Sequence, residues 1–373
     1  MHNIPARYQH MFALRNLTPD KYEETGELNC LPSTESVKPL FTSLQDSLRK
    51  ELTNLSKNIK NSPKEKQTYL PIALLLNKLS RHAASNRKDD NPVVFLLNPS
   101  NPLPGDFLDT KVQPDMVARI CTTKQLDKYI SDLSEARKER YKRLPQLGDF
   151  RPAWGQSLAP LEIKKRESGE EQIANYLDVN KVYRVDLSYV IGLAGRKSGF
   201  NLFALSPCVM QRSNERYPWD DFLMLLRYIV GLYNCHEAKD PNMEFLPIAS
   251  QAWICRVDDQ KYLAFPFMAT RGLGRSTWVA AGVSLNDDTS VVIKVSWVDI
   301  RVRHDEGEMY DLIGDIPGLM QLHKFWPPPN VENVKGGNIE RRKCYLVTSS
   351  IGLPLSKCRS LSEFLTVMLE VCD

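Results

Sequence analysis

Gly272 and Gly274 stand one residue apart between two apolar runs of strand length, 262–267 and 277–281, and a third run, 291–295, carries Lys294. Glycine adopts backbone conformations closed to other residues and puts no β-carbon between its amide and an approaching group. The carboxy-terminal third is therefore expected to be a sheet in which a close-approach loop joins two strands and an ammonium group follows on the next. Strands at 252–257, 319–325 and 344–348 and a helix at 300–313 belong to the same region.

The remaining sequence has a different texture. Leu40, Leu44, Leu48, Leu52, Leu55 and Ile59 recur every three or four residues on a polar background, which predicts one amphipathic helix ending near Asn61. Further helices are predicted at 72–82, 123–144, 168–177 and 219–233, and strands at 93–97, 116–120 and 158–164. Ser168 and Glu171 have capping-box spacing. The glycine- and proline-broken segment 182–210 predicts a three-stranded meander. A chain of 373 residues has room for two domains. The expected boundaries are a loose segment at 1–35, an α/β domain at 36–235, a linker at 236–250 containing Pro241, and a second domain at 251–373.

Forty-nine basic against 45 acidic residues leave a formal charge of +4, too small to point to nucleic acid. The eight cysteines are scattered, with no Cys-x-x-Cys pair and no histidine at a zinc-finger offset, which suits a reducing compartment. No secretory or membrane-spanning pattern stands out, the longest apolar stretch, 70–76, being interrupted by Pro71. The expectation is a soluble intracellular protein, cytoplasmic or nuclear, without a membrane partner.

Gly272, Gly274, Thr277, Val279 and Lys294 fall at the spacing of a protein-kinase glycine-rich loop, the valine over the base and the phosphate-pairing lysine, with Thr277 where a third glycine is usual. Such a lysine needs a helix glutamate to hold it; Glu306 is the first candidate and Glu308 the second. The same pattern is compatible with an edge-strand lysine facing water. Gly274-Arg275-Ser276-Thr277, Lys294-Val295-Ser296-Trp297 and Arg303-His304-Asp305-Glu306-Gly307 resemble the Gly-Arg-x-Thr, Lys-x-Ser-Trp and Arg-x-x-Glu-Gly stretches of the fungal-type protein kinase family. Tyr345-Leu346-Val347, Gly352-Leu353-Pro354-Leu355 and Ser362-Glu363-Phe364-Leu365 resemble its hinge and following helix, so that the resemblance spans residues 110–373. It implies a kinase-like amino-terminal lobe of five strands and one helix, ATP and Mg²⁺ as cofactors, and a protein serine or threonine as phosphoacceptor. No His-Arg-Asp or Asp-Phe-Gly follows Lys294, so the residues that accept the proton and hold the metal are missing. The expectation is a product truncated before the catalytic loop, the carboxy-terminal lobe absent, and a nucleotide-binding pseudokinase or inactive fragment.

In the first domain, Pro114-Asp115, Glu162-Ile163-Lys164, and Gln172 with Tyr176 one helical turn on resemble the Pro-Asp…(Asp/Glu)-x-Lys nuclease-like fold. Alternation along a strand puts Glu162 and Lys164 on one face. With Asp115 they could hold Mg²⁺ against a phosphodiester. Two carboxylates ~4 Å apart repel by about 4 kcal/mol at an effective dielectric near 20, so a metal or the Lys164 ammonium must offset them. Whether this site holds a metal stays open, as does the alternative that both domains are noncatalytic scaffolds. Asp149-Phe150-Arg151 precedes Lys294 and does not serve as an Asp-Phe-Gly. Gly195-Arg196-Lys197-Ser198 lacks phosphate-loop spacing. Cys235-His236 and His304-Asp305 have no partners at ligand spacing.

Overall fold

The computed structural model describes residues 23–25, 28, 30–87, 91–98, 113–138, 154–164, 169–246, 252–302, 305–313, 321–349, 360, 362 and 365. The protein is mixed α+β. It divides into two compact units, Met1–Lys239 with Arg271–Leu273, and Asp240–Thr270 with Gly274–Asp373.

The first unit is built on strands β1 (Glu23–Thr25), β2 (Val93–Leu97), β3 (Met116–Ile120), β4 (Ala159–Ile163), β5 (Val190–Arg196), β6 (Gly199–Leu205) and β7 (Met210–Ser213), arranged β1-β7-β6-β5-β4-β3-β2. All neighbours are antiparallel except β1–β7 and β4–β5. A parallel neighbour cannot be reached through a tight turn, and helix α5 (Gly169–Tyr183) supplies the crossover from β4 to β5. The other helices are α1 (Thr34–Thr42), α2 (Asp46–Asn61), α3 (Lys66–Arg87), α4 (Thr123–Lys138) and α6 (Phe222–Glu237).

The single helix expected from Leu40 to Asn61 is two. The α1 end is capped where Ser43 N–H donates to the Pro39 carbonyl at 3.0 Å and Ser43 Oγ to the Leu40 carbonyl at 2.9 Å. Leu44 in the connector is buried, so the apolar period runs unbroken across the bend. Helix α3 is longer than the expected 72–82, with Pro71 inside it. Pro71 has no N–H for the Gln67 carbonyl, which accepts instead from Ser62 Oγ at 3.4 Å. The meander is found, but α5 runs through Tyr183 before it begins. Residues 139–144 of the helix predicted at 123–144 and Ser168 of the capping box lie outside the described residues.

Strand β2 is a sheet edge, and an edge buried under helices needs partners for its backbone. They come from side chains. The N–H groups of Val93, Phe95 and Leu97 donate to Tyr233 Oη, Asn77 Oδ1 and Tyr129 Oη at 3.1, 2.9 and 3.0 Å. The carbonyls of Val93 and Phe95 accept from Ser80 Oγ and Asn77 Nδ2 at 2.5 and 2.9 Å. These polar groups let α3 lie against the strand inside a core that includes Leu52, Leu55, Leu74, Phe95, Phe203 and Tyr228.

The second unit holds β8 (Met243–Phe245), β9 (Trp253–Val257), β10 (Gln260–Ala269), β11 (Trp278–Ser284), β12 (Ser290–Asp299), β13 (Leu322–Trp326), β14 (Val334–Gly336) and β15 (Ile339–Thr348). Their order is β13-β15-β12-β11-β10-β9-β8, with β14 paired to β15, so the sheet has eight strands rather than the five implied by the resemblance. Helix α7 (Glu306–Ile313) starts later than the expected 300, because Asp299 folds the chain into a turn by accepting from the Arg301 N–H at 3.0 Å and, through its carbonyl, from Val302 N–H at 3.1 Å. One sheet face is a closed core of Tyr262, Ala264, Ala280, Ile293, Val295, Tyr345 and Val347. Under it lies a fully buried ion pair, Lys343 Nζ to Asp240 Oδ2 at 2.6 Å, with Tyr345 Oη donating to the same carboxylate. No helix among the described residues is long and apolar enough to cross a membrane.

Candidate functional sites

Lys294 lies near the middle of β12, opposite Val279 of β11 and Leu346 of β15. Residues directly opposite in a sheet share a face, so Lys294 rises from the side opposite the closed core, beside Val279, Ala281, Val292, Leu346 and Thr348. The Lys294 Nζ is 2.6 Å from both carboxylate oxygens of Glu306, a bidentate contact that selects Glu306 over Glu308. Both side chains remain partly exposed, 25% and 33%. Lys294 is therefore a paired, half-buried ammonium, not an edge-strand lysine pointing at water.

The helix bearing Glu306 is fixed from three directions. Asp305 caps its start, accepting the Glu308 N–H at 3.0 Å, and Arg342 Nη2 holds Asp305 at 2.6 Å. At Gly307 a β-carbon would come within 2.3 Å of the Phe325 ring, so only glycine lets α7 approach β13 this closely. Arg342 and Phe325 were not singled out from the sequence, and Asp305 was weighed there only beside His304 as a ligand pair; the acid preceding a helix with a basic strand residue opposite it becomes meaningful only once β15 is paired with β12.

Both glycines of the loop take backbone conformations that other residues rarely adopt. Gly272 and Gly274 have φ of 92° and 120°, and Ser276 has φ of 42°. Nothing lies within 4 Å of a β-carbon placed on Gly274, so that position is set by backbone conformation rather than by space. Thr277 N–H donates to Thr270 Oγ1 at 2.8 Å. Gly272 belongs to the short segment grouped with the first unit.

In the first unit, Asp115, Glu162 and Lys164 converge. Lys164 Nζ is 2.7 Å from Glu162 Oε1 and 4.0 Å from Asp115 Oδ2. Asp115 Oδ2 accepts the Ile163 N–H at 2.8 Å, which locks the carboxylate against β4. Two residues absent from the sequence reading complete the cluster. Glu65 Oε1 is 3.9 Å from Lys164 Nζ, and Tyr69 Oη lies 2.9 Å from Asp115 Oδ1 and 3.1 Å from Glu65 Oε1. Gln172 and Tyr176 share a face of α5; Tyr176 Oη donates to the Gln113 carbonyl at 3.0 Å, and Gln172 Oε1 is buried without a hydrogen-bond partner.

Burial, followed by the neighbouring Asp115 charge, pushes the Glu162 carboxyl up to about 7 despite the Lys164 contact. Burial likewise raises Asp115 against the opposing effects of the Ile163 N–H and Lys164. Burial alone would lower Lys164, but its contact with Glu162 and the charges of Asp115 and Glu65 outweigh that and raise it. Three carboxyl groups thus surround one ammonium. Among the described residues no group of three or more His, Cys, Asp or Glu is arranged to hold a metal ion. Lys164 lies where the carboxylates converge, so Mg²⁺ does not fit this arrangement unless that side chain swings away.

Compared with protein-family models, with curated proteins and with solved structures, the chain matches none.

Proposed function

We propose that the second unit is the nucleotide-binding lobe of a protein-kinase homologue of the fungal type, and that it binds ATP. The observation that carries the reading is the Lys294–Glu306 pair, 2.6 Å to each oxygen. A lysine on a central strand held by a glutamate from the following helix is the arrangement kinases use to fix the α- and β-phosphates. The lysine acts as a point charge on phosphate oxygens, Val279 and its apolar neighbours offer a surface for the base, and Gly274 puts no β-carbon in the way of an approaching anion. Titration of a fluorescent ATP analogue against the wild type and Lys294→Ala tests the proposal. Equal affinity for both proteins removes Lys294 from the site and the reading with it.

The convergence of Asp115, Glu162 and Lys164 favours a second reading for the first unit, a nuclease-like phosphodiester site. Incubation with plasmid and Mg²⁺ should then give cleavage that Glu162→Ala abolishes; cleavage that persists in the variant comes from elsewhere.

A further inference from the structure

We infer that Thr270 is the positioning residue of the glycine-rich loop: its hydroxyl clasps Thr277 and holds the strained segment between them in one shape. This rests on the nucleotide-binding reading for its functional consequence, but its structural grounds stand apart from it. The two threonines face each other where β10 and β11 leave the ladder. Thr270 N–H donates to the Thr277 carbonyl at 2.7 Å, as in an ordinary antiparallel pair. The return bond is not backbone to backbone. Thr277 N–H donates to Thr270 Oγ1 at 2.8 Å, and the same hydroxyl lies 3.4 Å from the Thr277 carbonyl. A side chain has taken over one rung of the ladder.

The need for such a rung follows from the segment it closes. Gly272, Gly274 and Ser276 all have positive φ, and Ser276 is not a glycine, so its conformation is strained. Strain of this kind persists only where the surroundings over-determine it. Ser276 is bracketed on one side by Arg275, whose carbonyl accepts the Trp297 N–H at 2.7 Å, and on the other by Thr277 in the clasp. Upstream, β10 is already irregular, its register with β11 shifting between Pro266 and Met268. The Thr277 amide, being committed to Thr270, is not available to a phosphate. Thr277 therefore belongs to the hinge of the loop, and Gly274 to the part that meets an anion.

Amide hydrogen exchange of the whole chain without nucleotide, and titration with a fluorescent ATP analogue, test this in Thr270→Val, which keeps the shape and removes the hydroxyl, and in Thr270→Ser, which restores it. Loss of one such bond is about a fivefold effect. Thr270→Val should speed exchange at Thr277 by about that factor and weaken the analogue similarly, while Thr270→Ser stays within about twofold of wild type in both and the circular dichroism of all three proteins coincides. Unchanged Thr277 exchange in Thr270→Val, or a serine variant no better than valine, overturns the inference. If Lys294→Ala binds the analogue as tightly as wild type, the nucleotide reading falls, and the exchange measurement alone decides the role of Thr270.

Discussion

Replacing Gly307 by alanine sets two known effects against each other. Alanine favours a helix over glycine by up to about 1 kcal/mol. Opposing this, the new β-carbon would stand 2.3 Å from Cγ, 2.4 Å from Cδ1 and 2.7 Å from Cβ of Phe325. Carbon atoms rest at about 3.5–4.0 Å, so the groups must part by more than ~1 Å. Rotation of the ring does not achieve this, because Phe325 Cβ is itself too close, and α7 has to retreat from β13. Overpacking of this kind costs about 1–3 kcal/mol, which outweighs the gain in propensity; the expected net loss is about 1–2 kcal/mol. A retreat of ~1 Å also stretches the Lys294–Glu306 contacts beyond hydrogen-bonding length. Urea unfolding of Gly307→Ala, Glu306→Gln and the double variant measures both consequences. The single glycine change should lower the transition midpoint, and Glu306→Gln should then cost less in the Gly307→Ala background than alone, since the pair it removes is already open. A Gly307→Ala protein as stable as wild type, or more so, would refute the argument that close approach, not backbone freedom, makes glycine necessary here.

Asp240→Asn leaves Lys343 buried without its counter-charge, which costs about 3–5 kcal/mol and should be visible as early unfolding of the second unit in urea. Burial opposes ionisation of Asp240, but the Lys343 charge outweighs it and holds the carboxyl below its usual range. That contribution is complete above the unfolded value near ~4 and is lost as pH falls through the depressed folded value, so acid unfolding should begin earlier in the wild type than its neutral-pH stability suggests. Glu162 has the opposite sign. Raised to about 7, it keeps a proton in the folded state that the unfolded chain has already released, so the first unit should lose stability as pH rises from about 5 to about 8, and Glu162→Gln should flatten that slope. Because Lys164 pulls Glu162 down, Lys164→Met should move its carboxyl resonance to titrate at higher pH in ¹³C NMR. Asn77→Leu strands both the N–H and the carbonyl of Phe95 and should cost about 2–5 kcal/mol in the same unfolding assay.

What could be read from the sequence follows how local each signal is. The strands at Val93–Leu97 and Met116–Ile120 are short apolar runs between breakers and fold where they are expected. The pairing of Lys294 with Glu306 could be posed as a choice between two acids because a strand followed by a helix restricts which residues meet. Distance in sequence hides the rest. Glu65 joins the Asp115 cluster from the polar stretch between two expected helices, with nothing in its neighbours to mark it, and Tyr69 looks like a core aromatic until Asp115 is seen against its hydroxyl. Asn77 and Ser80 are polar interruptions in an apolar helix pattern, which read locally as weakness; they are there because β2 has an unpaired edge. Leu44 misleads for the converse reason, since a buried residue in a bend continues the helical period without being helical.

The two acidic clusters also divide by charge. In the second unit one carboxylate meets one ammonium and both stay partly exposed, so a phosphate can compete for Lys294 by drawing it from Glu306 at little desolvation cost. In the first unit three carboxyl groups share one ammonium, and Glu162 is almost wholly buried. An anion gains nothing there until a cation has joined the carboxylates, whereas a proton or a cation by itself relieves the repulsion. The same residue types therefore favour opposite ligands at the two places, and of the two ammonium groups Lys294, not Lys164, is the one suited to a polyanion such as a triphosphate.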